Sequence, residues 1–127
     1  HPYGYTGIKP YQIHGSIYGV VGAKHLDFGP IKQWHTEEIK AVGDHITVTV
    51  DGEVIVDANI REACQGHAVG PEGTEGNPYM VDHRNHPGLF NKEGYISFCG
   101  HGQGVMFRNI RILDLSDKNK SKKGKRK

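Results

Sequence analysis

The fold is decided by the stretch HITVTVDGEVIVDA, residues 45–58. Two runs rich in β-branched residues flank an Asp-Gly pair, and Ile46, Val48 and Val50 alternate with polar residues. Alternation with a period of two is typical of a strand with one buried face, and Asp-Gly between two such runs favours a two-residue type I′ turn. The stretch therefore predicts a β-hairpin in which Ile46, Val48 and Val50 share a face.

Shorter runs of the same kind lie on both sides of this hairpin. Residues 34–42 alternate loosely before a Gly-Asp pair, which predicts a third strand antiparallel to the hairpin. Residues 13–21 form another β-branched run, and residues 95–99 and 105–113 are predicted as two strands joined by a glycine-rich turn. Gly occurs 18 times and Leu only four times, which disfavours a helical bundle. The pattern predicts an all-β fold with antiparallel strands.

The composition predicts one domain followed by a basic tail. A chain of 127 residues is long enough for one hydrophobic core. Seven of its 16 basic residues lie in residues 118–127, so residues 1–117 carry 9 basic against 14 acidic side chains, a formal charge of −5. We interpret residues 1–115 as the domain and residues 116–127 as a disordered tail rather than a polyanion-binding arm. No nucleic-acid partner is expected. A membrane span is not predicted either, because the sequence lacks an apolar run of about 18 residues.

A long polar segment separates the hairpin from the last two predicted strands. Residues 61–92 contain five glycines and three prolines, with no sustained period of 3.6 or 2. A loop of this length in a small domain is usually functional or disordered, and its histidines favour a role facing a ligand. Cys64 and Cys99 form no zinc motif. A disulfide between them and free, buried thiols both remain open.

Three segments of the chain together resemble one protein family. They are YQIHGSIYG at residues 11–19, Trp34 with the hairpin, and HPGL at residues 86–89 followed by GYISF and GHGQGVMFRNIRI within residues 94–112. Their order and spacing resemble the 3-keto-disaccharide hydrolase domain, across about residues 8–114. The resemblance implies an antiparallel jelly-roll-like (concanavalin-like) β-sandwich whose concave sheet binds a sugar.

The resemblance also implies that strands are missing from this chain. Family members are longer, and nothing here matches the strands that precede their Tyr-Gln-x-His-Gly block. A sandwich needs two full sheets that cover each other, and about five or six strands do not easily close both. We therefore expect the carboxyl-terminal part of an incomplete sandwich, either as a fragment or with a separate chain supplying the amino-terminal strands.

The chemistry that the resemblance implies is cleavage of 3-keto glycosides. A ketone at C3 acidifies the C2 hydrogen, so loss of that proton expels the oxygen at C1 before water adds. This route needs a base, a positive group for the enolate and an acid for the leaving oxygen, not a carboxylate pair flanking the bond. We interpret His14 and His101, each beside glycine, as catalytic histidines that face one cavity. The alternative is that both only bind backbone groups.

Six further residues are candidates for binding the sugar. Aromatic rings stack on pyranose faces, while amide and basic side chains bind hydroxyl groups. The candidates are Tyr11, Gln12, Tyr18, Lys24, His86 and Arg108. Core packing is the alternative for the two tyrosines and the preferred interpretation of Trp34, and a structural role at a sheet edge is preferred for Arg108. No His-x-His pair accompanies the nine histidines, so no cofactor is assigned and dependence on a divalent metal stays open.

The leading hypothesis is therefore an enzyme that acts on 3-keto glycosides outside the cytoplasm, since members of the family are often exported. A non-catalytic carbohydrate-binding module is the alternative, because the same sandwich serves lectins. A third hypothesis is an assembly domain that completes its sandwich with a partner. Convergence of His14, His101 and a carboxylate or metal in one pocket would favour the enzyme.

Overall fold

The computed structural model describes residues 8–64, 86, 88–100 and 104–116. The chain forms two units, His1–Asn91 and Lys92–Lys127. Regular structure in the first unit consists of a 3₁₀ turn at Pro10–Gln12, strands β1 (Glu37–Val42), β2 (His45–Val50) and β3 (Glu53–Asn59), and the short helix α1 (Ile60–Cys64). Within the described ranges, no helix has the length and apolar character needed to cross a membrane.

The three strands form one antiparallel sheet in the order β1-β2-β3. Asp51 and Gly52 both have positive φ angles, 50° and 84°, as a type I′ turn requires. Val48 and Val50 are buried, and Ile46 packs against the same core. The predicted hairpin is confirmed, and so is an all-β fold with an incomplete sandwich.

An extra residue in β3 brings two neighbouring side chains into the core. Val48 pairs with Val56 and Thr49 pairs with Val54, so Ile55 has no partner in β2. Both Ile55 and Val56 are fully buried, because a bulge interrupts the alternation of the strand. The carbonyl oxygen of Ile55 accepts a hydrogen bond from Lys24 N–H at 2.8 Å. The bulge thus attaches the preceding segment to β3.

The run at residues 13–21 is not a strand, contrary to the sequence prediction. Among the described residues, its only ladder contact is an isolated bridge between Ile17 and Val21. The hydroxyl of Ser16 donates to Pro10 O at 3.0 Å and accepts from Ala23 N–H at 2.9 Å, which closes a compact loop. The apolar side chains of the run reach the core through this loop, so its pattern reflects burial and not strand pairing.

The last two predicted strands are also absent. Residues 92–100 and 104–116 contain no β-ladder, and the large apolar side chains within residues 95–98 and 105–113 are at least half exposed. Phe98 and Phe107 contact each other with ring centroids 5.1 Å apart. A strand needs a hydrogen-bonded neighbour and a covered face, and the described part of this unit supplies neither. The predicted tail beyond Ser116 lies outside the described residues.

Helix α1 occupies the start of the segment predicted as a loop. The side chain of Asn59 caps it, because Asn59 Oδ1 accepts from Arg61 N–H at 2.9 Å and from Glu62 N–H at 3.1 Å. The Arg61 guanidinium donates to Asp44 Oδ2 at 2.7 Å and lies 4.3 Å from the centroid of the Phe90 ring. These contacts connect the β1–β2 turn to the end of β3.

Candidate functional site

Glu37, Val50 and Glu53 form one row across the sheet at the end where the hairpin turn lies. Glu37 pairs with Val50, and Val50 pairs with Glu53. Residues directly opposite each other present their side chains to the same face of a sheet. Val50 is buried, whereas the two acidic side chains reach solvent. Two strand spacings, about 9–10 Å, separate Glu37 from Glu53.

Each of these carboxylates contacts a basic side chain of the covering segment. This segment is residues 13–28, whose buried side chains pack against the sheet. His14 Nε2 lies 2.6 Å from Glu37 Oε1, with 41% of the His14 side chain exposed. Lys24 Nζ forms an ion pair with Glu53. Two of the residues predicted from the sequence, His14 and Lys24, therefore meet the same row of the sheet.

Gly15 explains how His14 reaches Glu37. Its φ angle is +90°, and a Cβ atom at this position would lie only 2.3 Å from Ile55 Cδ1. The space beside Gly15 is not open to a ligand, because the Ile55 side chain of the core occupies it. A glycine is required so that the loop can lie directly on the sheet. This close approach places the adjacent His14 over β1.

Phe28 connects His14 to a second histidine–carboxylate pair. The Phe28 ring makes T-shaped contacts with His14 and with His35, each with ring centroids 5.5 Å apart. His35 Nδ1 lies 2.6 Å from Asp51 Oδ2. We call His14, Phe28, His35, Glu37 and Asp51 the histidine cluster. It consists of two imidazole–carboxylate pairs around one buried aromatic ring.

Asp51 has a structural role as well as a place in the cluster. The Thr36 N–H donates to Asp51 Oδ1 at 2.9 Å, and the Asp51 N–H donates to Thr36 O at the same distance. The hydrogen bond from Thr36 and then the bond with His35 lower the pKa of Asp51. A carboxylate in the hairpin turn thus fixes the residues that lead into β1, including His35.

Gln12 and Tyr18 contact each other at the protein surface. Lys9 N–H donates to Gln12 Oε1 at 2.7 Å, which fixes the amide so that Nε2 donates to the Tyr18 hydroxyl at 3.1 Å. Tyr18 is 62% exposed, and its ring can contact a ligand. Tyr11, by contrast, is buried. In this arrangement Tyr18 can stack on a sugar and Tyr11 has the position of a core aromatic.

Two of the remaining candidates, His86 and Arg108, lie in different units of the chain. His86 has a buried Nδ1 with no hydrogen-bond partner among the described residues. Arg108 belongs to the second unit, where its side chain is exposed. His101 lies outside the described residues, so a cavity shared by His14 and His101 stays a prediction. Trp34 is 48% exposed, and the core interpretation of it is wrong.

Both cysteines, Cys64 and Cys99, are free thiols in the structure. Burial raises the pKa of the Cys64 thiol. Across residues 8–64, 86, 88–100 and 104–116, no group of three or more His, Cys, Asp or Glu side chains could hold a metal ion.

Sequence reasoning missed most of the histidine cluster. Asp51 was interpreted only as a turn residue, although turn aspartates commonly bind nearby backbone N–H groups. Glu37 offered a clearer signal, because it has the same parity in β1 as Ile39 and therefore lies on an apolar face of the strand. His35 and Phe28 carried no comparable signal, since their contacts depend on a loop that crosses the sheet.

Comparison with known proteins gives one match. A family described as the 3-keto-alpha-glucoside-1,2-lyase-like domain matches residues 3–113, which confirms the resemblance found in the sequence. The match starts close to the first residue and does not support the expectation that only the carboxyl-terminal part of the domain is present. No curated protein and no solved structure matches the chain.

Proposed function

We propose, because this chain belongs to the 3-keto-alpha-glucoside-1,2-lyase-like domain family, that it cleaves 3-keto glycosides by elimination. A base removes the C2 proton, and the electron pair of the C–H bond enters the enolate. The C1–O bond then breaks as a C1=C2 double bond forms, and the leaving oxygen takes a proton. Water adds across the double bond, with its hydroxyl on C1, to give the free 3-keto sugar.

His14 is the base in this proposal, and its pairing with Glu37 is the observation that carries it. The imidazole is partly exposed, and its Nε2 lies 2.6 Å from the carboxylate. Imidazole exchanges protons near neutrality, as removal of an acidified C–H proton requires. His14 also belongs to a segment that resembles the family. His101, in another such segment, is proposed as the second catalytic histidine.

Three of the sugar-binding residues in this proposal, Gln12, Tyr18 and Lys24, lie on the same stretch of the chain as His14. Lys24 pairs with Glu53, which is about 9–10 Å from Glu37 across the sheet. That span suits the second sugar unit of a disaccharide whose first unit lies at His14. Gln12 and Tyr18 supply an amide and an exposed ring for hydroxyl binding and stacking. His86 and Arg108 remain proposed contacts with the substrate.

The test is turnover of a 3-keto disaccharide in D₂O, followed by NMR. We expect the freed sugar to appear together with deuterium at C2 of the 3-keto product. His14→Ala should reduce turnover on the order of a hundredfold, with an unchanged circular dichroism spectrum. Repeating the assay with a chelator and with added divalent metal tests metal dependence.

His45→Ala is the matched control for this variant. His45 is another exposed histidine paired with a carboxylate, Asp57, but it lies outside the histidine cluster. Its loss should leave turnover unchanged. Equal losses in the two variants, or no turnover by the wild-type protein, would contradict the proposed activity.

A carbohydrate-binding module is the second candidate, and the exposed Tyr18 held by Gln12 is the observation that favours it. In that case calorimetry would detect binding of the disaccharide, whether oxidised or not, without turnover. Tyr18→Ala should then abolish binding, because stacking on the ring supplies the contact, whereas His14→Ala should leave binding intact. Turnover that depends on His14 would exclude this second candidate.

A further inference from the structure

We propose that Glu37 is a positioning residue that holds His14 in the Nε2–H tautomer, so that Nδ1 is the nitrogen that accepts the substrate proton. The catalytic part of this inference rests on the proposed function. The tautomer itself is a property of the resting protein, and it can be measured without any substrate.

The contact between the two side chains determines which nitrogen carries the hydrogen. An ionised carboxylate is an acceptor only, and a neutral imidazole has one donor and one acceptor nitrogen. Since Glu37 Oε1 lies 2.6 Å from His14 Nε2, Nε2 must donate. Within the described ranges, no other hydrogen bond to the His14 ring is found. The lone pair of Nδ1 is then the one directed to a substrate.

Three features hold the pair in place. Glu37 is the first residue of β1 and pairs with Val50 in β2, so its backbone is fixed by the sheet. The Phe28 ring contacts the His14 ring at an interplanar angle of 87°, which restricts rotation of the imidazole. Gly15 keeps the backbone next to His14 against Ile55. A carboxylate held in this way can select a tautomer.

The second pair of the cluster supplies an internal comparison. His35 contacts Asp51 through Nδ1 instead of Nε2, at 2.6 Å. The same argument therefore assigns the Nδ1–H tautomer to His35. The two histidines that contact Phe28 should be opposite tautomers, a difference that a single spectrum can show.

The first experiment is a long-range ¹H–¹⁵N correlation spectrum of the labelled full chain, recorded where the imidazoles are neutral. We expect a protonated Nε2 in His14 and a protonated Nδ1 in His35. Glu37→Ala should leave His14 as a mixture of tautomers while His35 is unchanged. A protonated Nδ1 in wild-type His14, or a His14 spectrum that Glu37→Ala does not alter, would overturn the assignment.

The second experiment separates positioning from structure by kinetics. Glu37→Ala should lower kcat for a 3-keto disaccharide by about 10- to 100-fold, with KM within about twofold. Glu37→Asp should recover part of the loss because it restores the carboxylate. Glu38→Ala is the control, since Glu38 pairs with Thr49 and lies on the opposite face of β1. Circular dichroism checks that each variant is folded.

The outcomes distinguish this inference from the proposed function. A wild-type protein that shows the expected tautomers but turns over no 3-keto glycoside contradicts the proposed function and, with it, the catalytic role of Glu37. Normal turnover by Glu37→Ala, with His14 still required, retains the proposed function and overturns the positioning role.

Discussion

Two parts of this chain carry the same pattern of β-branched and aromatic residues but have different structures. Residues 45–58 form the paired strands β2 and β3, and they supply most of the side chains that the sheet contributes to the core. Residues 95–99 and 105–113 form no ladder, and Tyr95 and Ile112 are largely exposed. The first part has a two-residue turn that pairs its strands and a covering segment that buries one face. Alternation shows which side chains share a face, but burial needs a covering layer.

The largest expected effect on stability comes from replacing an isoleucine with alanine in each part and comparing the two losses. Ile55→Ala should lower the free energy of unfolding by about 2–5 kcal/mol, because Ile55 is fully buried and its loss leaves a cavity. Ile112→Ala should change it by less than about 0.5 kcal/mol, since Ile112 is 74% exposed. Urea denaturation followed by circular dichroism measures both. Similar losses would show that residues 105–113 are buried in the folded protein.

Two glycine substitutions test whether the covering segment lies directly on the sheet. Gly15→Ala should destabilise by about 2–4 kcal/mol, since it combines backbone strain at φ +90° with overpacking against Ile55. Gly43→Ala isolates the strain, because Gly43 has φ +59° and no atom of the described residues lies within 4 Å of its added Cβ. It should cost about 1–2 kcal/mol. If Gly15→Ala costs no more than Gly43→Ala in urea denaturation, the loop does not lie against Ile55.

The hairpin turn should make a smaller, pH-dependent contribution through Asp51. Asn at this position keeps an oxygen for Thr36 N–H and tolerates positive φ, so Asp51→Asn removes mainly the charge. Because the folded pKa of Asp51 is lowered from 3.8, its stabilisation is present above about pH 4 and is lost as the pH falls through the lowered value. The difference should stay below about 1 kcal/mol, since the side chain is exposed.

Thermal unfolding of wild type and Asp51→Asn, from about pH 6 down to about pH 2, measures this contribution. The two stabilities should converge on acidification. A difference that grows as the pH falls would mean that Asp51 is not held as a charged group by Thr36 and His35.

The smallest effect should follow removal of residues 116–127. This segment is rich in lysine and has no apolar side chain, so it cannot offset the entropy cost of ordering. Its deletion should change the melting temperature by about 1 °C or less. A large drop at low salt that disappears at high salt would instead show that the tail docks on the acidic remainder of the chain.

The sequence predictions were correct where the contacting residues are close together in the chain and failed where they are far apart. The hairpin was predicted correctly because Asp51-Gly52 joins its strands directly. Residues 13–21 were predicted wrongly because a β-branched run that packs in a loop resembles a strand that packs in a sheet. His14 could be identified as a candidate, whereas its partner Glu37 lies 23 residues away and could not be assigned to it.

By itself, the sequence determined the all-β class, the type I′ turn and the face shared by Val48 and Val50, because these depend on neighbouring residues and on the period of a strand. It also indicated the family through motifs with a fixed order. Only the tertiary structure decided that Ile55 joins the core through a bulge, that Gly15 lies against it, and that His14 meets Glu37. Each of these contacts joins segments far apart in the chain, so each requires the covering loop to be placed on the sheet first.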